Sequence, residues 1–230
     1  DGGLPGLSVI IPSNFEGIEV LSDTQIKVGA GLSDKVLAEK CLELGIGGLE
    51  FLIGIPGSIG GGIFMNAGCF GSEFSDIIVD VNFLTKNGKK INKKSNEINL
   101  SYRNSNISED LIITSSVVQG FLKKEFKIKN LMDEIVLKRN TSQPQGYATG
   151  GSTFKNHNNF KAWELIVKSG MSNASFGEAM VSDIHSNFLI NKGSASAGDF
   201  EALGNMIIDK VKFEFDILLE WEINIVGEYE

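Results

Sequence analysis

Residues 47–71 read GGLEFLIGIPGSIGGGIFMNAGCFG, a glycine-dense stretch in a chain otherwise patterned as ordinary helices and strands. Glycine lacks a Cβ and accepts positive φ, so Gly57, Gly60, Gly61 and Gly62 can present consecutive main-chain N–H groups to phosphate or ring oxygens at van der Waals distance. Side chains would block that approach. A tight turn serving only packing is an equally good reading of the glycine content by itself. The stretch lacks the G-x-G-x-x-G of a dinucleotide fold set between a strand and a helix, and the chain has no Gly-Lys-Ser/Thr of a P-loop.

The composition sets wider bounds. A chain of 230 residues with 42% hydrophobic content can bury a sizeable core in one large domain or two modest ones. Its formal net charge of −8 argues against a nucleic-acid or anionic-membrane partner, because binding of that kind needs a basic face. Lys123, Lys124, Lys127 and Lys129 read as a solvated linker. Cys41 and Cys69 are too few for a disulfide framework, and neither has metal-ligand spacing with His157 or His185. A reducing, cytoplasmic setting with no structural metal follows. No run of about 18 apolar residues is present, and the N-terminus lacks signal-peptide character.

Periodicity supplies the elements. Thr24 to Ala30 alternates as a strand, and Ser33 opens a helix with Val36, Leu37, Cys41 and Leu44 at helical spacing before Gly45 stops it. Ile77 to Phe83 and Leu111 to Val118 read as strands, separated by a polar segment with an Asn87–Gly88 turn. A composition shift at Lys123 to Asn130 marks a boundary, so the domains are expected at 1–124 and 125–230. Beyond it, Leu131 to Arg139, Ala162 to Lys168 and Phe200 to Lys212 have helical periodicity, and Asn187 to Asn191 reads as a strand. A last strand is expected over 217–226, with Leu219, Trp221, Ile223 and Ile225 on one face and Glu220, Glu222 and Asn224 on the other.

GIPGSIGGGIFMNAGCFG, residues 54–71, resembles the flavin-binding signature of the UDP-N-acetylenolpyruvoylglucosamine reductase (UDP-N-acetylmuramate dehydrogenase) family, which runs close to GIPGxxGGAxxMNAGAYG. The resemblance continues in order through nearly every residue from Gly3 to Glu228. LSYRNS (100–105) is similar to the family's GYRxS, GGSTFKN (150–156) to its GSxFKN, and LLEWE (218–222) to its LExE. Gln143 and Pro144 match a QP step, before which many relatives carry a basic residue where this chain has Thr141 and Ser142; Lys138 or Arg139 could substitute. VSDIHSNFLIN (181–191) matches SxxHxNFxxN, with His185 read as structural.

The resemblance implies an α+β fold: the remainder of a vanillyl-alcohol-oxidase-like (PCMH-type) FAD-binding domain, then an α+β substrate-binding domain. It implies non-covalent FAD held by Ile55, Pro56, Gly57, Ser58, Gly60, Gly61, Asn66, Ala67 and Gly68, with NADPH as reductant. Tyr102, Lys155 and Asn156 are implied substrate contacts, and Arg103, Ser152 and Glu222 the catalytic set. The implied reaction reduces the enolpyruvyl group of UDP-N-acetylglucosamine enolpyruvate to UDP-N-acetylmuramate, a step of peptidoglycan synthesis that supports cell shape and division. A guanidinium suits the enolate-like carboxylate. Glu222 would hydrogen-bond that carboxylate as a neutral acid, since two bare carboxylates repel. Ser152 needs to protonate only a strongly basic carbon.

Taken singly, each of these residues is more ordinarily a surface ion-pair, turn or solvated strand residue. The three motifs together favour the catalytic reading. The family's first βαβ subdomain, with a GxGSN-like phosphate turn, is expected to precede Asp1-Gly2-Gly3, so the flavin would lose part of its pyrophosphate cradle here. Two alternatives stay open: a non-catalytic nucleotide-sugar or flavin-binding fragment, and another FAD oxidoreductase of the same fold. The enzyme is expected to be a monomer of the subclass without a substrate lid.

Overall fold

The computed structural model describes residues 12–157 and 160–227. Asp1-Gly2-Gly3, which the resemblance places just after a phosphate turn, lies outside them. The chain divides into two compact units, one ending at Arg139 and the other beginning at Asn140.

The first unit runs β1 (Ile18–Val20), β2 (Gln25–Gly29), α1 (Asp34–Glu43), β3 (Ile46–Gly47), α2 (Ile59–Phe64), β4 (Gly68–Cys69), β5 (Ser72–Glu73), β6 (Ile78–Thr85), β7 (Lys90–Lys94), β8 (Leu111–Gln119), β9 (Phe121–Leu122) and all but the last turn of α3 (Glu125–Ser142). Five strands form an antiparallel sheet in the order β1-β2-β8-β6-β7. Alternate residues Ile26 and Val28 of β2, with Val81 and Phe83 of β6, turn into one core with Leu37 of α1, Ile59 and Ile63 of α2, and Ile128 and Met132 of α3. The latter pair explains why the break falls at Arg139 and not near residue 124: α3 buries its apolar side in the first core. Lys123 is likewise no solvated linker residue. Its Nζ lies 2.8 Å from Glu50 Oε1, and Glu50 is buried while also accepting the Gly48 N–H at 2.7 Å.

The glycines after Gly54 shape this core. A Cβ on Gly62 would overlap the ring of Phe74, which is fully buried and packs edge-on against Phe51. Gly62→Ala is expected to cost about 1–3 kcal/mol of stability through overpacking. Urea unfolding measures this, and an unchanged midpoint would contradict the packing described.

The second unit holds β10 (Ala148–Ser152), α4 (Ala162–Lys168), β11 (Ser175–Phe176), β12 (Ala179–Val181), β13 (Phe188–Asn191) and α5 (Ala197–Phe215). The antiparallel sheet β10-β13-β12-β11 packs with α4 and α5 around Phe154, Ile166, Val181, Leu189, Leu203, Ile207 and Val211. A capping box at Ser196 and Asp199 starts α5, and Asp216 in left-handed conformation (φ 57°) ends it. Where the alternation predicts a strand over 217–226, the chain forms a single bridge, Trp221 with Phe154. Its partner strand gives out first, because beyond Lys155 the chain turns to enter α4, whose Ala162 N–H is held by Asn156 Oδ1 at 3.0 Å.

Candidate active site

The glycine loop of the first unit does two jobs with its glycines. The Gly60 N–H donates to Ala30 O at 2.8 Å, the Gly62 N–H to Ser58 O at 2.8 Å and the Ile59 N–H to Leu32 O at 2.9 Å. Those donors are spent inside the fold, which corrects the expectation that Gly57, Gly60, Gly61 and Gly62 all offer N–H groups to a ligand. Gly60 packs closely on β2's end: a Cβ there would sit 3.1 Å from both the Cβ and the carbonyl oxygen of Ala30. The open rim is Pro56, Gly57, Gly61 and Phe64, which are exposed, with Ile55, Ser58 and Ala67 half-buried beside them. Among the described residues the Gly61 N–H has only a long 3.4 Å bond to Ser58 Oγ at the start of α2. Exposed N–H groups at Gly57 and Gly61, with no Cβ of their own in the way, suit a flavin's polar edge or phosphate, so this rim fits FAD. Gly57, Ser58 and Gly61 are the ones that would hold it.

Asn66 is scaffold. It is fully buried at φ 42°, donates from Nδ2 to Glu73 Oε1 and to Ser101 O at 2.9 Å each, and accepts the Ser75 N–H at 2.9 Å. Its amide therefore ties the loop to the tight turn Ser101–Asn104, on which Arg103 sits at φ 53°. Arg103 Nη2 donates to Gly68 O at 2.9 Å, and its guanidinium lies 5.0 Å from the centre of the half-exposed Tyr102 ring. The guanidinium expected to act is thus delivered to the loop expected to hold flavin. Cys69, next to Gly68, donates to Phe51 O, and burial pushes its thiol up to about 11, so it stays protonated at neutral pH.

One buried group was not anticipated. Asp34, the first residue of α1, is fully buried, and neither carboxyl oxygen has a hydrogen-bond partner among the described residues; a Cβ on Gly57 would lie 3.2 Å from Oδ2. Burial pushes its pKa up to about 7. The folded carboxyl stays protonated while the unfolded one ionises from 3.8, so stability is lost as pH rises from about 4 through 7. Asp34→Asn is expected to abolish this loss, gaining on the order of 4 kcal/mol relative to wild type between pH 4 and pH 8. Denaturant curves at the two pH values check it; a wild-type stability that rises relative to the variant would contradict it.

In the second unit, Ser152 ends β10 opposite Phe188, after a bulge made possible by Gly151 at φ 84°. Thr153, the next residue, donates its N–H to Asn187 O and accepts the Glu222 N–H, both at 2.8 Å. Ser152 and Glu222 are therefore brought to adjoining rungs. Buried Asn187 clamps Phe154 from the other side, accepting its N–H at 3.0 Å and donating to its carbonyl at 2.8 Å. His185 Nδ1 accepts the Asn187 N–H at 3.2 Å, and burial lowers the imidazole pKa, which keeps it neutral for that task. Lys155 Nζ lies 3.7 Å from Glu220 Oε2. Asn156 spends its Oδ1 on α4. A cavity of about 670 Å³ lined by Thr141, Trp163, Asp183 and His185 includes none of the residues expected to act. Asp34 and Asn187 were not singled out as functional from sequence, since their burial depends on contacts 23 and 33 residues away.

Residues 143–226 match the family model described as UDP-N-acetylenolpyruvoylglucosamine reductase, C-terminal domain, and residues 3–92 match the model of an FAD binding domain. The chain is 42% identical over 231 residues to a UDP-N-acetylenolpyruvoylglucosamine reductase of Orientia tsutsugamushi, covering 99% of this chain and 76% of that protein. It belongs to the UDP-N-acetylenolpyruvoylglucosamine reductase family. A reductase of the same name from Caulobacter vibrioides is 38% identical over 229 residues, again with 99% of this chain and 76% of that protein covered. The crystal structure of the reductase from Thermus caldophilus superposes with a TM-score of 0.82 at 29% identity, covering 93% of this chain and 76% of that one. The chain thus spans about three quarters of the reductases it matches. The family's FAD-binding and C-terminal parts fall on the first and second units respectively, and the α+β class expected from sequence is the one observed.

Proposed function

We infer that this chain reduces the enolpyruvyl group of UDP-N-acetylglucosamine enolpyruvate to the lactyl ether of UDP-N-acetylmuramate, with NADPH as reductant, in peptidoglycan precursor synthesis. FAD, when bound, carries hydride between NADPH and the substrate's methylene carbon. The chain's own residues handle the charge and the proton. Arg103, fixed by Gly68 and the Asn66-tied turn, supplies a planar, always-charged fork for the carboxylate on which negative charge develops. Glu222 hydrogen-bonds the same carboxylate. Ser152 gives its hydroxyl proton to the adjacent carbon and recovers one from solvent, which completes the addition of H⁻ and H⁺ across the double bond. Tyr102 and Lys155 flank the substrate, Lys155 toward its diphosphate.

The observation that carries this reading is the pairing of the Ser152 strand with the Glu222 segment through Thr153, within motifs that match the family. No helix among the described residues is long and apolar enough to cross a membrane. A cytoplasmic location and a monomeric state belong to the same reading.

The test is the visible spectrum of the chain loaded with FAD. Bleaching by NADPH and return of colour on adding UDP-N-acetylglucosamine enolpyruvate are expected. Bound flavin that bleaches but ignores this substrate would overturn the assignment in favour of another flavin oxidoreductase, and failure to hold flavin at all would favour a binding fragment.

A further inference from the structure

Glycine in the middle of a helix costs about 1 kcal/mol relative to alanine, so Gly204, eight residues into α5, calls for a packing reason. Trp221 supplies one. A Cβ on Gly204 would overlap the edge of the six-membered ring of the Trp221 indole, nearest Cη2 with Cζ2 and Cζ3 to either side. The indole also packs on Phe154, with ring centres 5.0 Å apart and planes tilted by 42°. The indole is therefore wedged between a notch in α5 and the ring that follows the Ser152 strand.

The wedge sits in the segment that runs beside the Ser152 strand and is anchored in the second core by buried Leu219. Around Trp221 the chain is pinned by the Lys155 N–H to Glu220 O at 2.9 Å and by the Glu222 N–H to Thr153 O at 2.8 Å. Past Ile223 it runs exposed through Asn224, Ile225 and Val226. Two hydrogen bonds fix the segment's register, and a side chain must fix its height and tilt above the strand. Glu222 follows the indole directly, so the seat of the ring sets where that carboxyl stands relative to Ser152.

We propose that Gly204 is a positioning residue: its notch seats Trp221 and thereby fixes Glu222 on the rung next to Ser152 for the reduction. The proposal rests on the reading of Glu222 as a substrate-carboxylate contact. It departs from a purely stabilising role because it assigns the notch an effect on one half of the reaction alone.

The experiment uses the FAD-loaded chain carrying Gly204→Ala, Glu222→Gln, or Gly204→Ala with Trp221→Phe. Phenylalanine lacks the ring atoms that meet the new methyl group. Gly204→Ala is expected to speed amide exchange over residues 217–227 by about tenfold while leaving β13 exchange unchanged, and to slow the substrate-dependent return of flavin colour by about tenfold with NADPH bleaching unaltered. The double variant should recover both to within about threefold of wild type. Equal slowing of bleaching and colour return, or exchange that rises across β13 as well, would overturn the proposal in favour of general destabilisation. Normal colour return in Gly204→Ala, with Glu222→Gln slow, would also overturn it. If Glu222→Gln itself reacts normally, the reading of Glu222 fails, and the proposal falls with it for that separate reason.

Discussion

Ser152→Ala is expected to slow the substrate-dependent step by about a thousandfold, the middle of the range for losing a positioned proton donor. Bleaching of bound flavin by NADPH should be unchanged, because the hydroxyl serves only the carbon that receives the proton. The scaffold around Ser152 predicts little collateral damage. Its strand pairing with Phe188 is made by backbone, the Gly151 bulge is retained, and the Thr153 and Phe154 amides are held by Asn187 whatever residue 152 is. Separate stopped-flow traces with NADPH and with substrate give the comparison. A variant that fails equally in both would place Ser152 in the architecture and not in the chemistry, whereas Ser152→Cys, keeping a proton to give, should recover part of the rate.

Asn66→Ala should be the most damaging single change in the loop, at about 3–4 kcal/mol of stability. Three hydrogen bonds of a buried amide go at once, and the Ser101 carbonyl and the Ser75 N–H, both part-buried, lose that partner. Alanine also tolerates the left-handed conformation at φ 42° less well than asparagine. Asn66→Asp keeps the acceptor for Ser75 but turns two donors into acceptors facing Glu73 Oε1 and Ser101 O, so it should be no milder. Calorimetric or urea unfolding reads the cost, and flavin affinity should fall with it as the Arg103 turn loosens. A stable Asn66→Ala protein with weakened flavin binding would instead mark the amide as a direct cofactor contact.

Much of this was legible in the sequence because the signals were local. Alternation located β2, β6 and β8, the 3.6 period located α1, α4 and α5, and the Asn87–Gly88 turn forms with Gly88 at φ 77°. β7 was not read because its KINKK has a single apolar residue; it pairs as an edge strand after that turn. What sequence could not reveal depended on distant partners. Gly60 and Gly62 look the same as Gly57 and Gly61 until Ala30 and Phe74 are seen against them. Lys123 sits in a lysine-rich stretch and ends beside buried Glu50. Asp34 reads as an ordinary acid at a helix start, yet its carboxyl is enclosed. The regular alternation over 217–226 promised a full strand, but a strand needs a neighbour, and Phe154 and Lys155 offer one for only a single bridge. For the candidate site, motif resemblance proposes Arg103, Ser152 and Glu222, while the residues packed around them, Asn66, Asn187 and Trp221, are legible only in three dimensions.

The most direct test of the central claim is the mass of the product formed when the FAD-loaded chain is given NADPH and UDP-N-acetylglucosamine enolpyruvate. The account predicts one species heavier than the substrate by two hydrogens, formed in step with NADPH oxidation and suppressed in Ser152→Ala. NADPH oxidised without change in the mass of the nucleotide sugar would contradict it.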